Sequence, residues 1–317
     1  MLQQFNEKNR DLKININGRL VHRDEAGISP FDSAVQGGDA VWEGLRVYDG
    51  RVFKLREHLD RLRHSALAMA FAEIPSHEEI TEEIRRTLEA NGMRDGVHIR
   101  LTLTRGVKIT SGMDPRLNQS GPTLIVLAEH KAPVYDDAAG GSGLSLATSS
   151  IRRFAPDQMD PKIHSCNLIQ SILAKIEATA AGADDALMLD QRGFLAETNA
   201  THVFVVTDGV VETSRLVACP EGITRATVLE LCRVNGIPCA ERDISQAELY
   251  RADECFTTGT MGELAWVGHV DGRAIGRMRG EVGSSAAGFT PTRGPMTERL
   301  IGLFRELTAR EGERVVE

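Results

Sequence analysis

The chain has 317 residues, of which 41% are hydrophobic and 26% charged, and its formal net charge is −8. This composition is typical of a soluble globular protein, and the length predicts two domains because one domain usually takes about 150 residues. The acidic balance argues against a nucleic-acid partner, since a phosphodiester backbone binds basic surfaces. No apolar run approaches the ~20 residues that cross a bilayer, so we expect no membrane partner.

The N-terminal segment and the cysteines bear on the location of the protein. The first residues mix charges of both signs and lack the apolar core of an export signal. The five cysteines are odd in number and form no CxxC motif, which argues against a disulfide framework and against a structural zinc site. We therefore expect a cytoplasmic protein with free thiols and no metal.

Hairpin and helix patterns alternate at the start of the chain. Residues 13–22 alternate polar and apolar side chains around Asn17-Gly18, the strongest short-range signal for a hairpin, and Asp49-Gly50 repeats that signal. The run 55–69 then carries an apolar stripe at helical spacing. These patterns predict a β-meander that leads into a helix.

A second helix and a linker complete the first domain. The run 77–90 predicts a helix that ends at Asn91-Gly92, and two strands follow it. Residues 132–143 are rich in Pro, Asp and Gly, which is typical of a linker. We predict a small N-terminal α/β domain over 1–131 and a larger C-terminal α/β domain over 144–317, an α+β two-domain fold.

The C-terminal domain shows strands interrupted by two long helices. A helix with an apolar face formed by Leu168, Ile169, Ile172, Leu173 and Ile176 precedes three strands over 185–213, separated by the turns "QRG" and "DGV". A further helix begins at "GITR" and stops at Asn235-Gly236. A strand, "ECFTTGT", and a last helix, "MTERLIGLFRELTAR", end the domain.

Four features of these elements could bind a phosphorylated ligand. Thr224 in "EGITRATV" can cap a helix whose free N–H groups attract an anion, although an ordinary capped helix has the same sequence. The "TTGT" run that ends in Thr260 could cradle phosphate or form a plain turn. Glu197 precedes an apolar strand and needs a cation there, and Arg56 could bind phosphate or face solvent. Together they predict a phosphorylated ligand with a ring nitrogen.

The order and spacing of six segments resemble the class IV aminotransferases, the fold type IV enzymes of pyridoxal phosphate. These segments are "FKLREHLDRL", "ILAKIEATAAGADDALMLD", "GFLAET", "GITR", "ADECFTTGT" and "GPMTERL". The resemblance covers nearly the whole chain, and six ordered motifs are far more specific than any single one. It implies a fold type IV transferase similar to branched-chain and D-amino-acid aminotransferases, with pyridoxal 5'-phosphate as its cofactor.

The family's functional residues can be carried over position by position. The resemblance implies that Glu197 pairs with the pyridinium nitrogen. It also implies phosphate contacts from Arg56, Ile223, Thr224 and Thr260. His202 stands where the family usually has an asparagine, which is a departure close to Glu197. The resemblance further implies a homodimer.

The Schiff-base lysine falls in "DPKIHSCN", where two alternatives stay open. In one branch of the family that lysine corresponds to His164 and in the branched-chain branch to Ile163, so Lys162 matches only with one further residue of slack. A histidine is not a primary amine and cannot form the bond to the cofactor. Lys175 flanks an apolar helix face, from which its ammonium is expected to extend into water. Lys162 is therefore the leading catalytic candidate, beside a His164 that also touches the cofactor.

We predict an aminotransferase that moves an amino group between an amino acid or amine and a 2-oxo acid. Lys162 would carry the cofactor and relay the proton, while Glu197 would tune the ring. The alternative is a pyridoxal phosphate lyase or a non-transaminating vitamin B6 binder that lacks the usual lysine and has His164 in its place. The identity of the substrate depends on loop geometry that the sequence does not specify.

Overall fold

A computed structural model describes residues 5–133, 141–276 and 291–317, which form two compact units. The first unit comprises Leu2–Ala132, Ile163–Leu168 and Thr308–Glu317, and the second comprises Pro133–Lys162 and Ile169–Leu307. Most of the predicted linker, residues 134–140, lies outside the described residues, so the predicted domain bounds stay a prediction. No helix in the described ranges is long and apolar enough to cross a membrane.

The first unit contains a seven-stranded antiparallel sheet. Its strands are β1 (Lys13–Ile16), β2 (Arg19–His22), β3 (Ala40–Tyr48), β4 (Arg51–Val52), β5 (Val97–Thr104), β6 (Thr123–His130) and β16 (Glu313–Arg314). They lie in the order β16-β4-β3-β5-β6-β1-β2. The helices of this unit are α1 (Ser33–Gly37), α2 (Leu55–Ala68) and α3 (His77–Ala90), and two short 3₁₀ helices, Glu7–Asn9 and Pro115–Leu117, lie in the connections.

The turns predicted for this unit are confirmed. Asn17 and Gly18 join β1 to β2 with φ values of 49° and 78°, as a two-residue hairpin turn with a left-handed backbone requires. Asp49 and Gly50 do the same between β3 and β4. These residue types adopt positive φ at low cost, which explains why the sequence signal was reliable.

The core of the first unit lies between the sheet and the apolar faces of α2 and α3. The helix residues in it are Leu55, Leu59, Leu62, Ala66, Ile80, Ile84 and Leu88. They recur every three or four positions, so each helix turns one apolar stripe toward the sheet. A capping box at Ser76 and Glu79 begins α3, which ends at Asn91 as predicted.

The second unit contains a mixed nine-stranded sheet. Its strands are β7 (Leu144–Thr148), β8 (Asp185–Leu189), β9 (Leu195–Thr198), β10 (His202–Thr207), β11 (Val210–Thr213), β12 (Cys239–Glu241), β13 (Glu254–Gly259), β14 (Glu263–Val270) and β15 (Arg273–Ala274). They lie in the order β12-β11-β10-β13-β14-β7-β8-β9, with β15 paired to β14.

The helices of the second unit are α4 (Pro156–Met159), α5 (Ile169–Ala180), α6 (Ile223–Val234) and α7 (Gln246–Tyr250), and α8 (Pro295–Arg310) begins in this unit. Helix α5 packs on β8 through small residues, while α6 follows the strands that carry the candidate site. The prediction of a mixed α/β fold is confirmed.

One strand count from the sequence is wrong. Residues 185–213 form four strands instead of three, because the chain turns between β9 and β10. In that turn Thr198 donates its backbone N–H to the carbonyl of Thr201, and the two hydroxyls are 2.7 Å apart. Threonine is typical of strands, so a turn made by two threonines has no strong sequence signal.

Helix α5 has an unusual distribution of apolar side chains. Its small residues Ala174 and Ala178 pack inward against β8. Its large aliphatic side chains are between 44% and 59% exposed: Ile169 (55%), Ile172 (53%), Leu173 (44%) and Ile176 (59%). A helix of a monomeric protein usually buries the larger apolar face, so this outward stripe is a surface that needs an explanation.

Candidate active site

The site is built around Glu197, the third residue of the fully buried strand β9. Glu197 is 3% exposed, and a carboxylate at such a position stays ionised only if a cation and donors compensate for the lost water. The guanidinium of Arg153 does so, with its Nη2 atom 2.8 Å from Oε1 of Glu197. The structural ion pair expected for Glu197 is therefore present.

The buried thiol of Cys219 lies near this ion pair. Burial, and then the charge of Glu197, raise the pKa of Cys219 to about 12, while Arg225 and Arg153 act in the opposite direction. Cys219 is therefore a neutral thiol near Glu197 and the two arginines. It is not a nucleophile, because the thiolate is the reactive form.

Helix α6 begins beside this group with its first turn uncapped by a side chain. The N-cap is Gly222, in an extended conformation, and no side-chain hydrogen bond caps the helix among the described residues. Thr224 is the second helical residue and is buried, so the prediction that it caps the helix is wrong. The early N–H groups of a helix have no partner within it, and they attract anions.

His202 joins the start of α6 to the end of β13. A Cβ atom added to Gly222 would overlap the imidazole of His202, so glycine is required there. His202 in turn pairs with Thr258 across β10 and β13, and residues directly opposite in an antiparallel pair share one face of the sheet. The histidine that departs from the family pattern therefore lies against Gly222, at the start of α6, and opposite Thr258 in β13.

Thr258 lies in the "TTGT" run, but it was not among the site residues predicted from the sequence. Its side chain is fully buried, and its hydroxyl has no hydrogen-bond partner among the described residues. Thr260, which was predicted, follows the end of β13 and is half-buried. The run "TTGT" places hydroxyls on both sides of Gly259, and this spacing was the signal that could have identified Thr258.

Lys162 and His164 lie in different surroundings. The Lys162 side chain is 40% exposed, and its Nζ atom lies 3.8 Å from a carboxylate oxygen of Asp160. Lys162 belongs to the second unit, as do Glu197 and Thr260. His164 belongs to the first unit, and its side chain is 15% exposed.

His164 is held firmly by residues of the first unit. Its Nδ1–H group donates to the carbonyl of Trp42 at 2.6 Å, and its ring stacks on the indole with centroids 4.4 Å apart. Burial, and then the charge of Arg61, lower the pKa of His164, which favours the neutral imidazole. Burial would raise the pKa of the neighbouring Glu43, but the charge and hydrogen bonding of Arg61 act in the opposite direction, and the pKa lies well below its usual range.

The remaining predicted residues divide between the units. Ile223 and Thr224 lie at the start of α6 in the second unit, and Arg56 is an exposed residue near the start of α2 in the first unit. Lys175, predicted to reach water, has a side chain that is 41% exposed, and its ammonium also bonds Asp185 at 2.8 Å and the carbonyl of Asp184. The second unit thus brings together Glu197, the start of α6 and the end of β13.

This arrangement matches known proteins in one family. The model of the amino-transferase class IV family matches residues 40–270. The chain belongs to the class IV aminotransferases. The branched-chain-amino-acid aminotransferase of Pseudomonas aeruginosa is 33% identical over 309 residues, which cover 96% of this chain and 95% of that protein. The resemblance inferred from the sequence is therefore confirmed.

Other members show greater identity or a solved fold. "Branched-chain-amino-acid aminotransferase-like protein 2" of Arabidopsis thaliana is 51% identical over 305 residues, or 96% of this chain. This chain spans about half, 52%, of that relative's length. The solved structure of a T.th. branched-chain amino acid aminotransferase with pyridoxamine 5'-phosphate has a TM-score of 0.84, 33% identity and 94% coverage of both chains. The fold is that of the fold type IV aminotransferases.

Class IV aminotransferases depend on pyridoxal phosphate, and the residues of the second unit fit that group. A phosphate needs N–H and O–H donors, which the uncapped start of α6 and the buried, unpartnered hydroxyl of Thr258 offer within the described part of the chain. A protonated ring nitrogen needs a carboxylate, which Glu197 supplies. The family also requires a primary amine. Within "DPKIHSCN", residues 160–167, the half-exposed Lys162 is the lysine that can supply it.

Proposed function

We propose that the protein is a pyridoxal phosphate-dependent aminotransferase that transfers an amino group between an amino acid and a 2-oxo acid. The observation that carries this proposal is the buried carboxylate of Glu197, paired with Arg153 in the unit that also contains the start of α6. Membership of the class IV family supports it. Because several relatives are named for branched-chain amino acids, we propose L-valine, L-leucine and L-isoleucine as donors.

The side chains named above would hold and tune the cofactor. When bound, pyridoxal phosphate supplies an electron sink that lets a proton leave the α-carbon of the substrate. Glu197 would keep a proton on the ring nitrogen, and the first turn of α6 with Thr258 and Thr260 would bind the phosphate. Arg56 is proposed as a further phosphate ligand on the family pattern alone.

Lys162 is proposed to supply the primary amine and to carry the proton at its Nζ atom. A flexible lysine side chain that is 40% exposed can reorient at little cost. The alternative of a lyase or a lysine-free binder centred on His164 is not favoured, because the similar proteins found are named as aminotransferases. In addition, the Nδ1–H group of His164 is already bonded to Trp42.

A half-reaction tests the proposal. The purified protein is loaded with pyridoxal phosphate, freed of excess cofactor and mixed with L-valine, L-leucine or L-isoleucine. We expect the absorbance of the aldehyde form of the cofactor to convert to that of pyridoxamine phosphate, with one equivalent of the 2-oxo acid detected by chromatography. A protein that binds the cofactor but forms no 2-oxo acid from these donors, from glutamate or from D-amino acids contradicts the proposal.

We also propose that the protein is a homodimer. The aliphatic stripe of α5, Ile169, Ile172, Leu173 and Ile176, supports this, because the same stripe on a second copy can pack against it by an isologous contact. The two charged α5 residues need not enter such a contact, because Lys175 is bonded to Asp185 at 2.8 Å and Glu177 to the hydroxyls of Ser149 and Ser150 within the same chain. The cytoplasmic location stays a prediction from the sequence.

A further inference from the structure

Arg153 is a largely buried cation with no part in the family pattern described above. Its side chain is 13% exposed, and it follows β7 in the run "IRRF". Its backbone is fixed at both ends, since its N–H donates to the carbonyl of Leu189 at 2.9 Å and its carbonyl accepts from Gln191. A guanidinium held in this way can impose a definite geometry on its neighbours.

The guanidinium uses its two terminal nitrogens on three groups. Nη2 lies 2.8 Å from Oε1 of Glu197 and donates to the carbonyl of Thr198 at 3.0 Å, while Nη1 donates to the hydroxyl of Ser171 at 3.1 Å. One carboxylate oxygen of Glu197 is thereby engaged by a cation. This contact both orients the carboxylate and favours its ionised form, because an opposite charge at this distance stabilises the anion.

We infer that Arg153 is a positioning residue, which keeps the carboxylate of Glu197 ionised and fixes its orientation. Glu197 can then hold a proton on the ring nitrogen of bound pyridoxal phosphate. The inference rests on the proposed function. A neutral Glu197 could not stabilise a pyridinium cation, and without Arg153 the buried carboxylate would take up a proton more readily. The strength of the electron sink would thus depend on a residue that does not touch the cofactor.

The protonation state of the ring nitrogen is the direct readout. Pyridoxal phosphate labelled with ¹⁵N in its ring is bound to the wild type and to three variants: Arg153→Gln, Arg153→Lys and Glu197→Gln. The ¹⁵N chemical shift is then followed from pH 6 to pH 10. We expect the midpoint of deprotonation to be highest in the wild type, intermediate in Arg153→Lys and lower by about one unit or more in Arg153→Gln, which should resemble Glu197→Gln.

Arg242→Gln is the matched control. Arg242 also pairs with carboxylates in the second unit, Glu212 at 2.5 Å and Glu248 at 2.9 Å, so its loss removes ion pairs that do not involve Glu197. In Arg242→Gln the midpoint of deprotonation of the ring nitrogen should equal that of the wild type. An unchanged midpoint in Arg153→Gln overturns the inference while leaving the aminotransferase proposal intact, and the half-reaction above tests that proposal separately.

Three further outcomes are decisive. If Arg153→Gln does not fold, Arg153→Lys carries the test, because an ammonium cannot reproduce the planar contacts of a guanidinium; a midpoint equal to the wild type then overturns the inference. If the wild type holds the cofactor with an unprotonated nitrogen across the whole range, Glu197 does not act as stated and the inference falls. Failure of the wild type to bind the cofactor rejects both proposals.

Discussion

The ammonium of Lys162 and the carboxylate of Asp160 form an ion pair, with Nζ and Oδ1 3.8 Å apart. The backbone N–H of Lys162 also donates to the same Oδ1 atom at 3.0 Å. Asp160 therefore fixes the backbone of the lysine more closely than its side chain. This leaves the Lys162 amine as the mobile group of the segment, since a half-exposed ion pair contributes only about 0–1 kcal/mol.

The first prediction concerns the amine that binds the cofactor. Borohydride reduction of the cofactor-loaded protein, followed by peptide mapping, should place the phosphopyridoxyl group on Lys162. Lys162→Ala should lose 2-oxo acid formation, because its amine is both the anchor and the proton carrier. Lys175→Ala is the matched control and should retain activity, since that ammonium is bonded to Asp185.

The same experiment can reject the position of the lysine. An adduct on another lysine would show that Lys162 is misassigned. A coloured protein with no adduct, combined with full activity in Lys162→Ala and none in His164→Ala, would support the site built around His164. His164→Lys should raise activity only if the usual lysine of the family belongs at that position.

The second prediction concerns the charge of Glu197. Glu197→Gln keeps the shape and one acceptor oxygen for Arg153, so the variant should fold. It should lose about 2 kcal/mol of transition-state stabilisation, roughly a 30-fold loss in rate, because a neutral amide cannot hold the ring proton as strongly. Single-turnover rates with L-leucine measure this loss, and a rate equal to that of the wild type would show that the ring does not lie against Glu197.

The third prediction concerns the stability of the protein in acid. Burial, and then the charges of Lys131, Arg46 and Arg100, lower the pKa of His98 from its ordinary 6.5 to about 3. In the unfolded chain His98 is therefore protonated below about pH 6.5, whereas in the folded chain it stays neutral down to about pH 3. The contribution of neutral His98 is complete above pH 6.5 and is lost as the pH falls through this window, by about 2–3 kcal/mol between pH 6.5 and 4.5.

Urea unfolding of the wild type and His98→Gln across a pH range of about 7.5 to 4.5 measures that loss. The free energy of unfolding of the variant should fall less steeply with decreasing pH, by up to about 1.4 kcal/mol per unit. His64→Gln, a substitution at an exposed histidine of α2, is the matched control and should follow the wild type. Parallel slopes for all three proteins would contradict the assigned effect of His98.

The fourth prediction concerns the exposed stripe of α5. Ile172→Glu and Ile176→Glu should each convert the proposed dimer to monomer at micromolar concentration, because a charge in the centre of an apolar contact loses its water. Multi-angle light scattering measures the mass. Val234→Glu, at a site that is 78% exposed at the end of α6, is the control and should remain dimeric. Dimeric Ile172→Glu would place the interface elsewhere, and a monomeric wild type would reject the dimer.

Local features of the fold were predictable from the sequence because their causes are local. The turn at Asn17-Gly18 and the end of α3 at Asn91 depend on the backbone preferences of the residues themselves. The two-threonine turn after Glu197 was missed, because threonine favours strands unless its hydroxyl bonds nearby backbone.

The site was predictable only in part, because its contacts join distant parts of the chain. Glu197 was recognised as a carboxylate that needs a cation, but Arg153 lies far before it in the chain and becomes its partner only through the order of strands in the sheet. Likewise, nothing in "DPKIHSCN" indicates that His164 is bonded to Trp42, which is 122 positions away. Such pairs depend on topology rather than on local sequence.

The contact between Gly222 and His202 has a consequence for engineering the enzyme. A larger residue at position 222 cannot be accommodated while the imidazole of His202 occupies that space. A single substitution at position 222 is therefore expected to disrupt the fold there, whatever its side chain could contribute to cofactor binding. A library intended to reshape the phosphate site must vary positions 202 and 222 together. The two positions will be epistatic, and replacement of His202 by a small residue must come first on any stepwise mutational route.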